Sequence, residues 1–124
     1  MPVRVLVADD NLDVQELVND ILIINFRDVL VERVLDADGL RDKLGAAKRP
    51  YDLIIVASGL ADPQGKSAPA IIREEFKAVS GKTVILEDAP GQVKRGPATA
   101  GIPVLTKPFS LDEFGDCVRK ICPR

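Results

Sequence analysis

Short apolar runs alternate along this chain with segments whose apolar residues return every three or four positions. Val3 to Ala8 (VRVLVA), residues 28 to 34 (DVLVERV), Asp52 to Ala57, Thr83 to Leu86 and Ile102 to Thr106 read as five strands. Leu53 to Val56 are four apolar residues in succession, closed by Ser58 and Gly59. Such a run marks a strand covered on both faces, as in a parallel sheet. Between the strands the period lengthens. Val14, Leu17, Val18, Ile21 and Ile24 form one stripe of a first helix. Leu40, Leu44 and Ala47 mark a second, ended before Pro50. A third turns Ile72, Phe76 and Val79 inward and carries Pro69 in its first turn. The last helix is the best signed: Ser110 and Glu113 have capping-box spacing, and Leu111, Phe114, Val118 and Ile121 follow at helical intervals. Residues 90–101 hold two prolines and three glycines, so a short turn or irregular loop is expected there, the least regular part of the fold.

Five βα units in this order predict an α/β, doubly wound, flavodoxin-like (βα)5 fold. Its central five-stranded parallel sheet would have order 2-1-3-4-5 and helices on both faces. No repeat, linker or second domain interrupts the pattern, so one domain is expected over residues 1–124. In such sheets a site forms beyond the carboxyl ends of the strands, where the order reverses. The residues in those places are Asp9 and Asp10 after strand one, Ala57 at the end of strand three, Glu87 and Asp88 after strand four, and Lys107 after strand five.

Composition narrows the function classes. With 46% apolar residues the chain can bury a core, and its formal net charge of -2 argues against nucleic-acid or anionic-membrane binding as the main role. No apolar stretch has the length of a membrane span. Asp9 and Asp10 interrupt the N-terminal apolar run before a cleavable signal can form, so a cytoplasmic location is expected. There is no histidine, which removes the commonest general base and any Ser-His or Cys-His pair. The two cysteines, Cys117 and Cys122, would lie about 140° apart around a helix, so they should not bridge each other, and they lack zinc-like spacing. One core thiol and one near the end of the helix are expected.

The sequence resembles the receiver domain of two-component response regulators (CheY-like) over essentially its whole length. The resemblance rests on VLVADDN (5–11), YDLIIV (51–56), LADPQG (60–65) and LTKPFSLDEF (105–114), above all on an acidic pair after strand one together with Lys-Pro-Phe after strand five. It implies that Asp9 and Asp10 match a pair that binds a divalent metal, usually magnesium, and that Lys107 matches a lysine contacting the phosphate. Leu60 and Gly65 match the loop after the acceptor. The resemblance also implies an aspartate ending strand three that accepts a phosphoryl group from a histidine kinase. That position is Ala57. The hydroxyl position after strand four falls on Glu87 or Asp88, according to one residue of register, and the aromatic position on strand five falls on Val104.

These departures have chemical consequences. An acyl phosphate needs a carboxylate oxygen as nucleophile, and a methyl group has none. Ser58 should point away from the face that Ala57 presents, and Asp62 lies several loop residues further on. A carboxylate after strand four would repel an incoming phosphoryl group. Asp9 and Asp10 also suit a capping role at the first helix, and with no third carboxylate from Ala57, metal binding is expected to be weak or absent. Lys107 reads as a structural counter-ion that should lie within ion-pair distance of Asp9, Asp10, Glu87 or Asp88.

The resulting expectation is a non-enzymatic pseudo-receiver: a signalling interaction module without aspartyl phosphorylation at the usual position and without a required cofactor. Its partner would be a protein, a histidine kinase or another two-component protein, contacted through residues 90–101, strand five and the last helix. The alternative is a phosphorylatable receiver in which Ala57 replaces an acceptor by engineering or is bypassed by another residue. A flavodoxin-like small-ligand binder is disfavoured, because no loop has the Ser/Thr/Gly character that cradles a flavin phosphate.

Overall fold

The computed structural model describes residues 2–89, 91, 93, 101–107 and 109–121. β1 (Val3–Ala8) pairs in parallel with β2 (Val29–Val34) on one side and β3 (Leu53–Ala57) on the other. β4 (Thr83–Glu87) pairs with β3, and β5 (Val104–Thr106) with β4, again in parallel. The order β2-β1-β3-β4-β5 is the one the alternation of periods predicts. Every residue of β3 and β4 is buried, as the unbroken apolar runs require.

Side chains alternate across the sheet and divide the core in two. On one face Val3, Val5 and Val7 pack with Val18, Ile21 and Leu22 of α1 (Leu12–Asn25) and with Phe114 and Val118 of α4 (Leu111–Ile121). On the other, Leu6, Ile54, Val56 and Ile85 pack with Leu40 of α2 (Ala37–Ala46) and Ile72 of α3 (Ala68–Glu75). The Ser110–Glu113 capping box forms: Glu113 N donates to Ser110 Oγ at 3.0 Å, and Ser110 N to Glu113 Oε1 at 3.4 Å.

Four expectations are corrected. In α1 the buried residues are Gln15, Val18, Ile21 and Leu22, while Leu17 and Ile24 are exposed. The helix is apolar around most of its circumference, so periodicity does not say which apolar side faces the sheet. The third helix ends at Glu75: Phe76 leaves helical dihedrals (φ -133°, ψ 54°), and the chain tightens into a 3-10 segment, Lys77–Lys82, which carries Val79. Leu111 is exposed at the first position of α4, before that helix meets the sheet. The strand reading for Ile102 and Pro103 also shrinks, since β5 begins at Val104. The expectation for residues 90–101 falls mostly outside the described residues, as do Cys122 and Pro108.

Candidate functional site at the carboxyl edge of the sheet

The parallel register brings Asp9, Ala57, Glu87 and Lys107 to one rim, though Asp9 and Lys107 are 98 residues apart in sequence. Asp9 follows β1 and is fully buried. Its Oδ1 accepts from Asn11 N at 2.9 Å. Asn11, rather than either aspartate, caps α1 by accepting from Asp13 N and Val14 N. Gln15 stands behind the rim: its Nε2 donates to the carbonyl oxygens of Asp9 and Val34, each at 2.9 Å. Asp10 is exposed, so the acidic pair is divided between interior and surface.

Lys107 Nζ lies 2.9 Å from Asp9 Oδ2 and 3.3 Å from Asp88 Oδ1. Burial alone would lower its pKa, but the hydrogen bonds and charges of Asp9 and then Asp88 outweigh that and hold it above the ordinary lysine value. One ammonium thus bridges the buried carboxylate after β1 and the exposed one after β4.

Glu87 and Asp88, which the sequence left interchangeable, have different surroundings. Glu87 ends β4 opposite Thr106 and is buried. Its Oε1 accepts from Thr106 Oγ1 at 2.7 Å and its Oε2 from Val93 N at 3.0 Å. It therefore ties the end of β4 to β5 and to the segment that follows β4. The Asp88 side chain is 66% exposed and reaches Lys107. Sequence reasoning missed Thr106 and Gln15 as rim residues. The available signal was a polar residue breaking each apolar pattern. Val104 is half-buried against the face shared with α2 and α3.

Ala57 is 5% exposed beside Leu86. The loop beyond it is tightly made. Asp62 N donates to Lys66 O at 2.9 Å, Gly65 N donates to Asp62 O at 2.8 Å, and Gly65 takes φ 87°, a conformation suited to glycine. Asp62 is not free to serve the rim: Oδ1 accepts from Gln64 N at 3.0 Å and Lys66 N at 2.8 Å, and Oδ2 pairs with Arg41 Nη2 at 3.1 Å. The Lys66 amide bond, helped by Arg41 and the Gln64 amide, holds the Asp62 carboxyl below its ordinary value despite partial desolvation. Arg41 also forms a two-pronged pair with Glu75, at 2.8 Å on both oxygens, linking α2, the loop and α3.

The rim does not fit a magnesium ion. Magnesium asks for several oxygen ligands in octahedral geometry. Here both Asp9 oxygens are engaged, one by Lys107, and Ala57 offers no oxygen. Among the described residues no three His, Cys, Asp or Glu side chains are grouped to hold a metal.

No family model matches the sequence, and no curated protein matches it. The likeness is carried by solved structures. The signal receiver domain of an HD-domain-containing protein from Pseudomonas fluorescens Pf-5 superposes with TM-score 0.79 at 18% identity, over 99% of this chain and 96% of that one. The response regulator TrrA from Thermotoga maritima, solved with Mg2+ and BeF, gives 0.78 at 22% identity, over 98% and 99%. A CheY-like receiver domain from Methanospirillum hungatei JF-1 gives 0.76 at 15% identity, over 97% and 93%. The chain has the fold of response-regulator receiver domains. Among the described residues no helix is long and apolar enough to cross a membrane.

Proposed function

We propose that this chain is a pseudo-receiver: a non-enzymatic signalling module of receiver fold that contacts protein partners without taking a phosphoryl group at the end of β3. The observation that carries the reading is Ala57, buried at the position where an attacking carboxylate would stand. The neighbouring ions reinforce it. Lys107 can spread the charge of a transferring phosphoryl group only if it is available, and it is already shared by Asp9 and Asp88. Glu87 places a carboxylate where the resemblance implies a neutral hydroxyl, and its bonds to Thr106 and Val93 fasten the link between rim and β5 in one arrangement. A partner would read this fixed arrangement. A histidine kinase or another two-component protein suits the fold, and magnesium binding would be weak.

The alternative, a receiver whose acceptor is bypassed, needs another carboxylate. Asp62 is the nearest one in the loop, and Arg41 and two backbone amides hold it. The test is intact-mass spectrometry after incubation with acetyl phosphate and magnesium. No adduct is expected. A hydroxylamine-labile adduct of one phosphoryl group would overturn the reading and direct the search to Asp62, Asp9 and Asp10.

A further inference from the structure

At the amino ends of the strands, opposite the rim, the chain gathers positive charge. Arg4 of β1, Lys43 of α2, and Lys48 and Arg49 of the turn before β3 line a cavity of about 420 Å³ together with Glu32 and Tyr51. Four cations and one carboxylate leave a local charge of +3, on a chain whose formal net charge is -2.

The single carboxylate is fully occupied. Glu32 Oε2 accepts from Arg4 Nη2 and Oε1 from Lys43 Nζ, both at 3.1 Å. Arg4 is set in place: its guanidinium lies 4.7 Å from the centre of the Tyr51 ring, and Nη1 donates to Arg49 O at 2.7 Å. A fixed guanidinium loses little freedom when it binds an anion, and the N–H groups that Glu32 and the Arg49 carbonyl do not use remain to donate to a phosphate. Lys48 and Arg49 are exposed, and among the described residues their side chains make no ion pair. Two uncommitted cations therefore stand beside one pre-oriented guanidinium.

A second cavity, of about 550 Å³, abuts the first and shares Ala47, Lys48 and Tyr51 with it. Its other walls are mainly apolar, with Leu44, Phe76 and Val79, and are edged by Glu75, which Arg41 and Lys66 already pair, and by Lys77. A cationic pocket beside a largely apolar groove suits a phosphate joined to a flat, weakly polar body. We infer that this end of the fold binds a nucleoside phosphate, its phosphates against Arg4, Lys48 and Arg49 and its base in the Leu44–Phe76 groove. This site is independent of the carboxyl rim and does not need Ala57, Asp9 or Lys107.

The experiment is a 15N–1H NMR titration of the whole chain at about 150 mM salt, where weak surface attraction is screened. The probes are ATP, GTP, UTP, adenosine and inorganic pyrophosphate. At least one triphosphate should shift the amides of residues 43–51 and 76–79 saturably, with pyrophosphate moving the first group alone and adenosine binding more weakly than ATP. The variant Lys48→Ala/Arg49→Ala alters two exposed side chains. It should keep the far-UV circular dichroism of the parent and bind about tenfold more weakly or worse. Absence of saturable shifts up to about 10 mM ligand, well above useful affinities, would overturn the proposal. So would shifts centred on the carboxyl rim, unchanged binding in the double variant, or pyrophosphate binding as tightly as every nucleotide. Tighter binding of a single-stranded oligonucleotide than of any mononucleotide would overturn it as well.

Discussion

Replacing Lys107 with methionine keeps most of the side-chain length and removes only the ammonium, leaving Asp9 Oδ2 with its charge and without its partner. The Asp9 side chain is 1% exposed and that of Lys107 15%, with 2.9 Å between the charged atoms. That burial takes the pair out of the surface regime, where an ion pair is worth about 0–1 kcal/mol. Breaking a buried pair from one side costs about 3–5 kcal/mol, because the remaining charge stays desolvated. Asn11 N still holds the other Asp9 oxygen, so the lower end, about 3 kcal/mol, is expected. For a chain of 124 residues this is a fall in Tm of about 10 °C. Asp9→Asn alone should cost less, about 1–2 kcal/mol, because Lys107 keeps Asp88 and can reach water. The double variant should be more stable than Lys107→Met, with a coupling of about 2 kcal/mol. Urea unfolding of the four proteins, followed by far-UV circular dichroism at neutral pH, reads all three quantities. If Lys107→Met lies within about 0.5 kcal/mol of the parent, or if the two changes simply add, the ion pair does not hold the rim together.

Ala57→Asp should restore at most a trace of hydroxylamine-labile phosphorylation by acetyl phosphate, and Ala57→Asp/Glu87→Thr should raise it; equal labelling of the two by intact mass would show that Glu87 does not oppose the transfer. Hydrogen bonds from Arg41 and then Lys66 hold Glu75 down to about 2, from an ordinary 4.5, against partial desolvation. A depressed carboxyl stabilises the fold above its unfolded value and loses that contribution as pH falls from about 4.5 towards 2, so Glu75→Gln should flatten the acid limb of the urea midpoint against pH. Burial first, then the bond to Glu32 and its charge, push the Tyr51 hydroxyl up to about 12, with Arg4 opposing. Tyr51 is the chain's one tyrosine and there is no tryptophan, so phenolate absorbance should appear near 12 in the folded protein and near 10 in urea. Because the folded value is the higher one, stability from this group is complete below 10 and is lost as pH rises through 12; a native titration at 10 would show that Tyr51 is not sealed beneath Arg4.

The parts of the fold that could be read from sequence are those that a local rule decides. The four-residue apolar run of β3 admits few other placements, and the Ser110–Glu113 spacing needs only its own turn to form. The orientation of α1 was not legible. Leu12, Leu17, Ile23 and Ile24 are all exposed, so apolar character does not mark its inner face, and Gln15 is buried for its hydrogen bonds rather than for its hydropathy. The site shows the same division. Asp9 and Lys107 were legible because all five strands run parallel, so the residues that follow them share one edge, and the lysine side chain is long enough to cross the ends of β3 and β4 that lie between β1 and β5. The separate surroundings of Glu87 and Asp88 were not, because one residue of register reverses which way a strand residue points. Only the pairing of Glu87 with Thr106 across β4 and β5 settles it.

Gln15 also sets how this rim can open. By holding the carbonyls at the ends of β1 and β2 from within a helix, its amide adds a last rung to the ladder where backbone pairing stops. The two strand ends then cannot fray one at a time, because parting them requires α1 to lift from the sheet. Amide exchange at Ala8, at Asp9 and along the buried side of α1 should therefore proceed at one common rate, as a single cooperative unit. Faster exchange at the strand ends than in the helix would show that the rung does not couple them.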